Sequence, residues 1–182
     1  MPQPEICDNM IDDDCDGLID CADPDCPPCP PIRSDPTQAS FGASDAGLDL
    51  VKSRGHVKIL SSVDPSTVRV GWLISTPGRI VYEGVLEPGD LTPLSQNVWV
   101  FEDPGAPVGQ GTRDGIYKAK LIVGASAIWY RLMAYGDMAA AGNGEISVQL
   151  YVGDQVYFVS GLWRPTAAGW IFHGHHGTGF DR

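Results

Sequence analysis

From Phe41 onward, apolar residues recur at every second position, and each such run is cut off by a turn signal, a pattern that restricts this part of the chain to short strands. Val68, Val70, Trp72 and Ile74 fall on one side of an extended chain. Tyr117, Ala119, Leu121 and Val123 share another side while Lys118 and Lys120 face away; Ile146, Val148, Leu150 and Val152 alternate in the same way with Glu145, Ser147 and Gln149. Further strands are predicted over 56–60, 79–86, 97–101, 127–134, 155–163 and 170–173. Between the runs stand Pro77-Gly78, Pro88-Gly89, Pro104-Gly105, Asp114-Gly115, Gly142-Asn143-Gly144, Gly153-Asp154 and Ala168-Gly169. Eight or nine such strands without a helical window predict an all-β domain over 41–182. The leading architecture is an antiparallel β-sandwich of immunoglobulin-like or jelly-roll type, with a closed barrel second. The Cys pair around a Trp that marks antibody domains is missing.

Residues 1–29 are built on different terms. All five cysteines lie there, at 7, 15, 21, 26 and 29, and residues 1–35 carry ten acidic side chains against the single base Arg33. The remainder, with thirteen acids and eleven bases, is nearly neutral, so the net charge of −11 belongs to the first thirty-odd residues. A stretch this short cannot bury a core, and its cysteine density predicts disulfides and an oxidising setting, secreted or at the cell surface. No signal-peptide core follows Met1, so export implies that the chain is seen in a mature or truncated form. No apolar run approaches the ~20 residues needed to cross a bilayer. Clustered Lys and Arg are absent from the linear sequence, which disfavours a nucleic-acid or anionic-membrane partner and makes a divalent cation the natural one.

The run Asp12-Asp13-Asp14-Cys15-Asp16-Gly17-Leu18-Ile19-Asp20-Cys21-Ala22-Asp23 has the spacing of a twelve-position calcium loop. Asp12, Asp14, Asp16, Asp20 and Asp23 fall at positions 1, 3, 5, 9 and 12, Gly17 at 6, and Leu18 offers the position-7 carbonyl. Calcium takes six to eight oxygens at about 2.3–2.6 Å, and alternate residues of a tight loop can aim theirs at one centre while Gly17 permits the bend. The predicted ligands of a Ca²⁺ ion are therefore Asp12, Asp14, Asp16, Leu18, Asp20 and Asp23. Asp23 stands where an EF-hand has a bidentate Glu; Asp8 and Asp25 are candidates to complete the shell or begin a second one.

The stretch Glu5-Ile6-Cys7-Asp8-Asn9-Met10-Ile11-Asp12-Asp13-Asp14-Cys15-Asp16-Gly17-Leu18-Ile19-Asp20 resembles the Cys-containing metal-binding repeat of bacterial secreted and surface proteins. Its Asp-x-Asp-x-Asp-Gly core is also similar to thrombospondin type 3 repeats, which wrap calcium without flanking helices. The likeness covers about residues 5–26 and implies an extracellular, calcium-loaded spacer. It further implies that Cys7 pairs with Cys15 and Cys21 with Cys26, leaving Cys29 over. From the residues alone, five cysteines allow fifteen two-disulfide frameworks. Cys26-Pro27-Pro28-Cys29 lacks the strand–helix context of a redox motif, and a zinc site is disfavoured amid so many carboxylates. Residues 30–40, with Pro30, Pro31 and Pro36, read as an extended linker.

Catalytic patterns are missing. Gly124-Ala125-Ser126-Ala127-Ile128 lacks the closing Gly of a nucleophile elbow, no cysteine lies beyond residue 29, and no phosphate-cradling loop precedes a helix. Glu102-Asp103 reads as part of a turn, Glu83 and Glu87 as a strand's solvent face. His173, His175 and His176 read as a polar tail with metal binding as the alternative; His56 stands alone. Trp72, Trp99 and Trp163 are expected in the core. Trp129-Tyr130 and Tyr157-Phe158 are adjacent pairs whose members face opposite ways, so one of each is expected outside.

The sequence thus predicts a calcium-binding structural or adhesion module with no enzymatic activity. Its expected partners are further copies of itself, in a homo-oligomer or filament joined head to tail through the arm, the odd cysteine or the sheet edges, or a glycan or surface protein. The second class is a carbohydrate-binding accessory module of a secreted enzyme.

Overall fold

Each alternating run forms a strand in the computed structural model, which describes residues 4–59, 62–142 and 144–174. In chain order the strands are β1 Ile32–Ser40, β2 Asp49–Lys58, β3 Val70–Thr76, β4 Arg79–Leu86, β5 Thr92–Ser95, β6 Val98–Glu102, β7 Ile116–Val123, β8 Ala127–Gly136, β9 Glu145–Val152, β10 Gln155–Leu162, β11 Arg164–Thr166 and β12 Gly169–Gly174. Eight of them make one sheet in the order β11-β12-β1-β2-β8-β7-β6-β5, and four make a second in the order β10-β9-β3-β4. All strand pairings are antiparallel. The expected β-sandwich is what forms. Among the described residues no helix is long and apolar enough to cross a membrane.

The core fills the space between the sheets. Trp72 and Ile74 of β3 and Val148 and Leu150 of β9 belong to one buried cluster with Leu121 of β7 and Ile128 and Leu132 of β8. Trp163 joins them, and Trp99 packs half-buried at the rim. The adjacent aromatics divide as alternation demands: Tyr130 is buried, whereas Trp129 stands 47% exposed on the opposite side of β8. On β7 the register slips between Ile116 and Lys118, so Ile116 takes the buried place expected for Tyr117. Tyr117 instead meets Tyr135 edge-on at 5.9 Å between ring centroids.

Residues 30–40 are a correction to the linker reading. Ile32–Ser40 is an interior strand of the large sheet, paired with β12 on one side and β2 on the other, with Ile32 and Ala39 fully buried. Three prolines suggested an extended spacer because proline cannot donate to a ladder. Pro30 and Pro31 precede the strand, the Pro30 carbonyl accepting the Phe158 amide at 2.9 Å. Pro36 sits in the irregularity between Ser34 and Thr37, a position that leaves the ladder intact on either side. Two further short strands escaped the alternation test: β5 carries Pro93 and has no buried side chain, and β11 carries Pro165 and spans three residues.

Where β1 breaks register, a chain of hydroxyls crosses the core. Ser34 Oγ lies 3.2 Å from Thr37 Oγ1, which lies 2.8 Å from Ser53 Oγ, which lies 3.3 Å from Tyr130 Oη. All four residues are buried, and the burial pushes the Tyr130 phenol up to about 12, so it stays protonated. Replacing Thr37 by valine keeps the volume and breaks the middle of this chain. Urea denaturation should read a loss of about 1–3 kcal/mol, the cost of buried hydroxyls left short of partners.

A second polar fastening holds the β4–β5 turn against the loop before β7. Arg113 donates from Nε to Asp90 Oδ2 at 2.6 Å and from Nη2 to Oδ1 at 2.9 Å, and the Glu87 amide donates to Oδ2 at 2.8 Å. These bonds, the guanidinium's first, hold the Asp90 carboxyl below its ordinary range. A depressed carboxylate stabilises the fold fully above its unfolded value near 3.9 and loses that contribution as pH falls through the folded value. Asp90→Asn should therefore melt at lower temperature than the parent at pH 7, and the gap should close as the pH is lowered through the carboxylate range.

Candidate metal centre

The alternation that sends Trp72 and Ile74 inward sends Leu73 of β3, and Gln149 and Tyr151 of β9, to the outer face of the small sheet. All three are nevertheless buried. Residues before β1 lie across that face: Met10 and Ile19 pack on Leu73, Tyr151 and Val156 in a second apolar cluster, with Cys21 and Cys29 at its edge. Gly71 leaves space for this layer, since a Cβ there would lie 3.3 Å from Met10 Sδ. The Gly78 amide of the β3–β4 turn donates to the Gly17 carbonyl at 2.9 Å. The acidic segment is distinct in composition, as the sequence indicates, but it is packed as a third layer on the sandwich.

Asp20 fastens that layer. It has no exposed surface; the amides of Asn9 and Met10 donate to its Oδ1 and Oδ2 at 3.1 and 2.9 Å, and the Tyr151 hydroxyl donates to Oδ2. Gln149 completes the joint, its Nε2 donating to the Ile19 carbonyl at 2.9 Å and its Oε1 accepting from the Cys21 amide at 3.2 Å. Burial raises the Asp20 carboxyl, against the lowering pull of Tyr151 and the two amides, and burial likewise raises Tyr151, which keeps its proton to donate. Asp20 was expected as the position-9 ligand. With φ at 49° its residue turns toward the sheet, and both oxygens are engaged there instead.

The disulfides also depart from the expectation. Cys7 is bonded to Cys26 and Cys21 to Cys29, leaving Cys15, not Cys29, as the free thiol. The first bond joins the two ends of the acidic loop, and the second ties its exit to the approach to β1. Cys15 sits at the loop's tip with φ at 65° and its side chain exposed, remote from Cys7 in orientation though near it in sequence.

Within that frame four of the five predicted carboxylates converge. Asp14, Asp16 and Asp23 bring one oxygen each within 4.8 Å of one another, and so do Glu5, Asp12 and Asp14. Asp14 belongs to both groups, so the two centres share a carboxylate. Local bonds set the loop: Gly17, at φ 94°, donates its amide to Asp12 Oδ2 at 3.0 Å, Asp16 to Asp14 Oδ1 at 3.1 Å, and Leu18 to Asp16 Oδ1 at 2.8 Å. Leu18 therefore follows in the loop, its side chain in neither group. Desolvation, and then the charges of Asp16, Asp23 and Glu5, push the Asp14 carboxyl above its ordinary range.

Two oxygens in these groups lack any partner. Asp23 is 3% exposed and its Oδ2 is buried without a hydrogen bond, while its Oδ1 accepts the Asp25 amide at 2.6 Å. Asp12 Oδ1 is buried and unpartnered as well. Carboxylate oxygens withdrawn from water and left without donors are what a hard cation compensates. Glu5 was missed as a candidate ligand. Its Oε2 accepts the Asp13 amide at 2.9 Å and its Oε1 the Asp20 amide at 2.8 Å, so it bridges both ends of the loop. The signal was its place at the head of the resembled repeat. Asp8 and Asp25 lie outside both groups.

Other carboxylates have structural employment. Asp103 accepts amides from Gly105 and Thr112, Glu102 pairs with Lys118 and Glu87 with Arg69. His173 lies exposed at the end of β12; His175 and His176 fall outside the described residues.

Tyr151→Phe removes one donor from Asp20 and leaves the sheet's apolar contacts in place. Hydrogen exchange should show the amides of residues 5–23 losing about 1–3 kcal/mol of protection, with those of β7 and β8 unchanged. Comparison with protein-family models, with curated protein sequences and with solved structures found no match to this chain.

Proposed function

We propose that this chain is a calcium-binding structural and adhesion module of an oxidising, extracytoplasmic setting, secreted or at the cell surface, without catalytic activity. The observation that carries the reading is Asp23: a carboxylate 3% exposed, one oxygen unpartnered, converging with Asp14 and Asp16 to within 4.8 Å. Hard oxygen donors in a flexible loop suit Ca²⁺ better than Mg²⁺, which demands strict octahedral geometry and keeps its waters. The ligand set we favour is Asp12, Asp14, Asp16 and Asp23 with Glu5, and with Asp14 bridging two ions. Two disulfides within residues 7–29 support the oxidising setting.

In this reading calcium sets the rigidity of the third layer. Without it, at least five carboxylates repel one another across a few ångströms; with it, the loop is drawn onto the small sheet through the Asp20 joint. Assembly into a head-to-tail filament belongs to the same proposal, through the exposed Cys15 or the strands at the sheet edges.

Calorimetric titration of the metal-stripped full chain with calcium, paired with elemental analysis, tests this. Saturable binding is expected, with a stabilisation of about 2.7 kcal/mol once calcium exceeds its Kd a hundredfold. Asp23→Asn should weaken binding at least tenfold. Silence in the titration at millimolar calcium would refute the assignment.

A further inference from the structure

The cations that look scattered along the sequence are gathered by strand register. Arg54 of β2 stands opposite Arg131 of β8, and Arg131 opposite Lys120 of β7, so three cations form one row across the outer face of the large sheet. With strands about 4.8 Å apart the row is about 10 Å long. The next row along the same strands is His56, Trp129 and Ile122. Both rows line a single shallow depression. The strands β2, β6, β7 and β8 carry six Lys and Arg residues against two acids, Asp49 and Glu102. Both acids are engaged, Asp49 with the amides of Gly42 and Met138, Glu102 with Lys118.

Trp129 is held in place. Its indole edge lies over Gly124 at the β7–β8 turn, where a Cβ would be 3.0 Å from Cζ3, and its ring centroid is 6.3 Å from that of His56. An indole 47% exposed beside a cation row is an unusual surface for a chain of net charge −11. Like charges directly opposite one another across strands oppose folding, and an anionic ligand would offset that repulsion.

We infer that this depression binds an anionic polysaccharide of the uronate class. The apolar face of a sugar ring stacks on Trp129, and the ring's carboxylate meets the planar forks of Arg131 and Arg54, which match carboxylate geometry, with Lys120 supplying the outer charge. Charge complementarity selects an anionic occupant. A single indole, with no succession of stacking rings, argues against a single-stranded nucleic acid, whose bases need successive platforms. The surface is on the sheet opposite the acidic layer, so this inference does not rest on the calcium reading.

The test is affinity measurement of the full-length chain against polygalacturonate, alginate and hyaluronan, with methyl-esterified polygalacturonate and a neutral galactan as controls. Titrations are run with calcium and with chelator. Binding to at least one uronate polymer is expected, weakening with added salt, persisting in chelator and absent for the esterified and neutral polymers. Trp129→Ala and Arg131→Gln should each lower affinity about tenfold while melting as the parent does, and Asp23→Asn should leave it unchanged. The inference is overturned by silence toward all three uronates, by equal binding of neutral polymers, or by binding that vanishes with chelator in the parent. It is equally overturned if Trp129→Ala and Arg131→Gln abolish oligothymidylate binding or self-association and leave uronate binding intact.

Discussion

A carboxylate with no solvent contact holds the outermost layer of this protein to the rest. Asp20 draws two amides of its own loop and the Tyr151 hydroxyl into one buried knot, and Gln149 fills the remaining backbone valences beside it. Withdrawing a charge from water is costly unless donors replace the lost hydration, and here three do. The consequence is geometric: with Asp20 fixed on the sheet, the residues on either side of it must turn outward together. Asp12, Asp14, Asp16 and Asp23 are brought into proximity because their loop is anchored at one end by Asp20 and closed by the Cys7–Cys26 bond.

The same layering segregates charge. Residues before β1 cover the small sheet and carry most of the excess negative charge, while the outer face of the large sheet carries Arg54, Arg131 and Lys120 in a row. A sandwich keeps these two faces apart by the thickness of two sheets and their shared core. A molecule whose overall charge is strongly negative therefore presents a locally cationic surface, which net charge alone would conceal.

The sandwich was legible because period-two alternation is a direct image of burial: Trp72 and Ile74, or Val148 and Leu150, could face one another only across a sheet. What the pattern missed, it missed for physical reasons. β1 buries Ser34 and Thr37 by bonding their hydroxyls to each other and to Ser53, so it lacks the apolar signature, and Pro36 hides in a bulge. Tyr151 and Gln149 read as outward-facing residues, and nothing local says that another layer covers them. The loop's spacing located four converging carboxylates, but it could not reveal that Asp20 faces the other way, because that choice depends on Tyr151, 131 residues distant. Cysteine pairing failed similarly, since Cys15 and Cys26 are both near Cys7 on paper and only the docked loop separates them.

The interleaved disulfides also define how the molecule would carry tension. A pull on the chain ahead of Cys7 passes straight to Cys26 and skips residues 8–25, so the acidic loop is bypassed by the force path. The pull then runs through Cys29 into β1, which is flanked by β12 and β2 with antiparallel ladders on both sides. Force applied along that strand must shear two sets of hydrogen bonds at once, not unzip them one at a time. The metal-binding loop is thus mechanically shielded by the covalent bonds that shape it, and the sandwich's most enclosed edge-to-edge seam is where a stretched chain would resist.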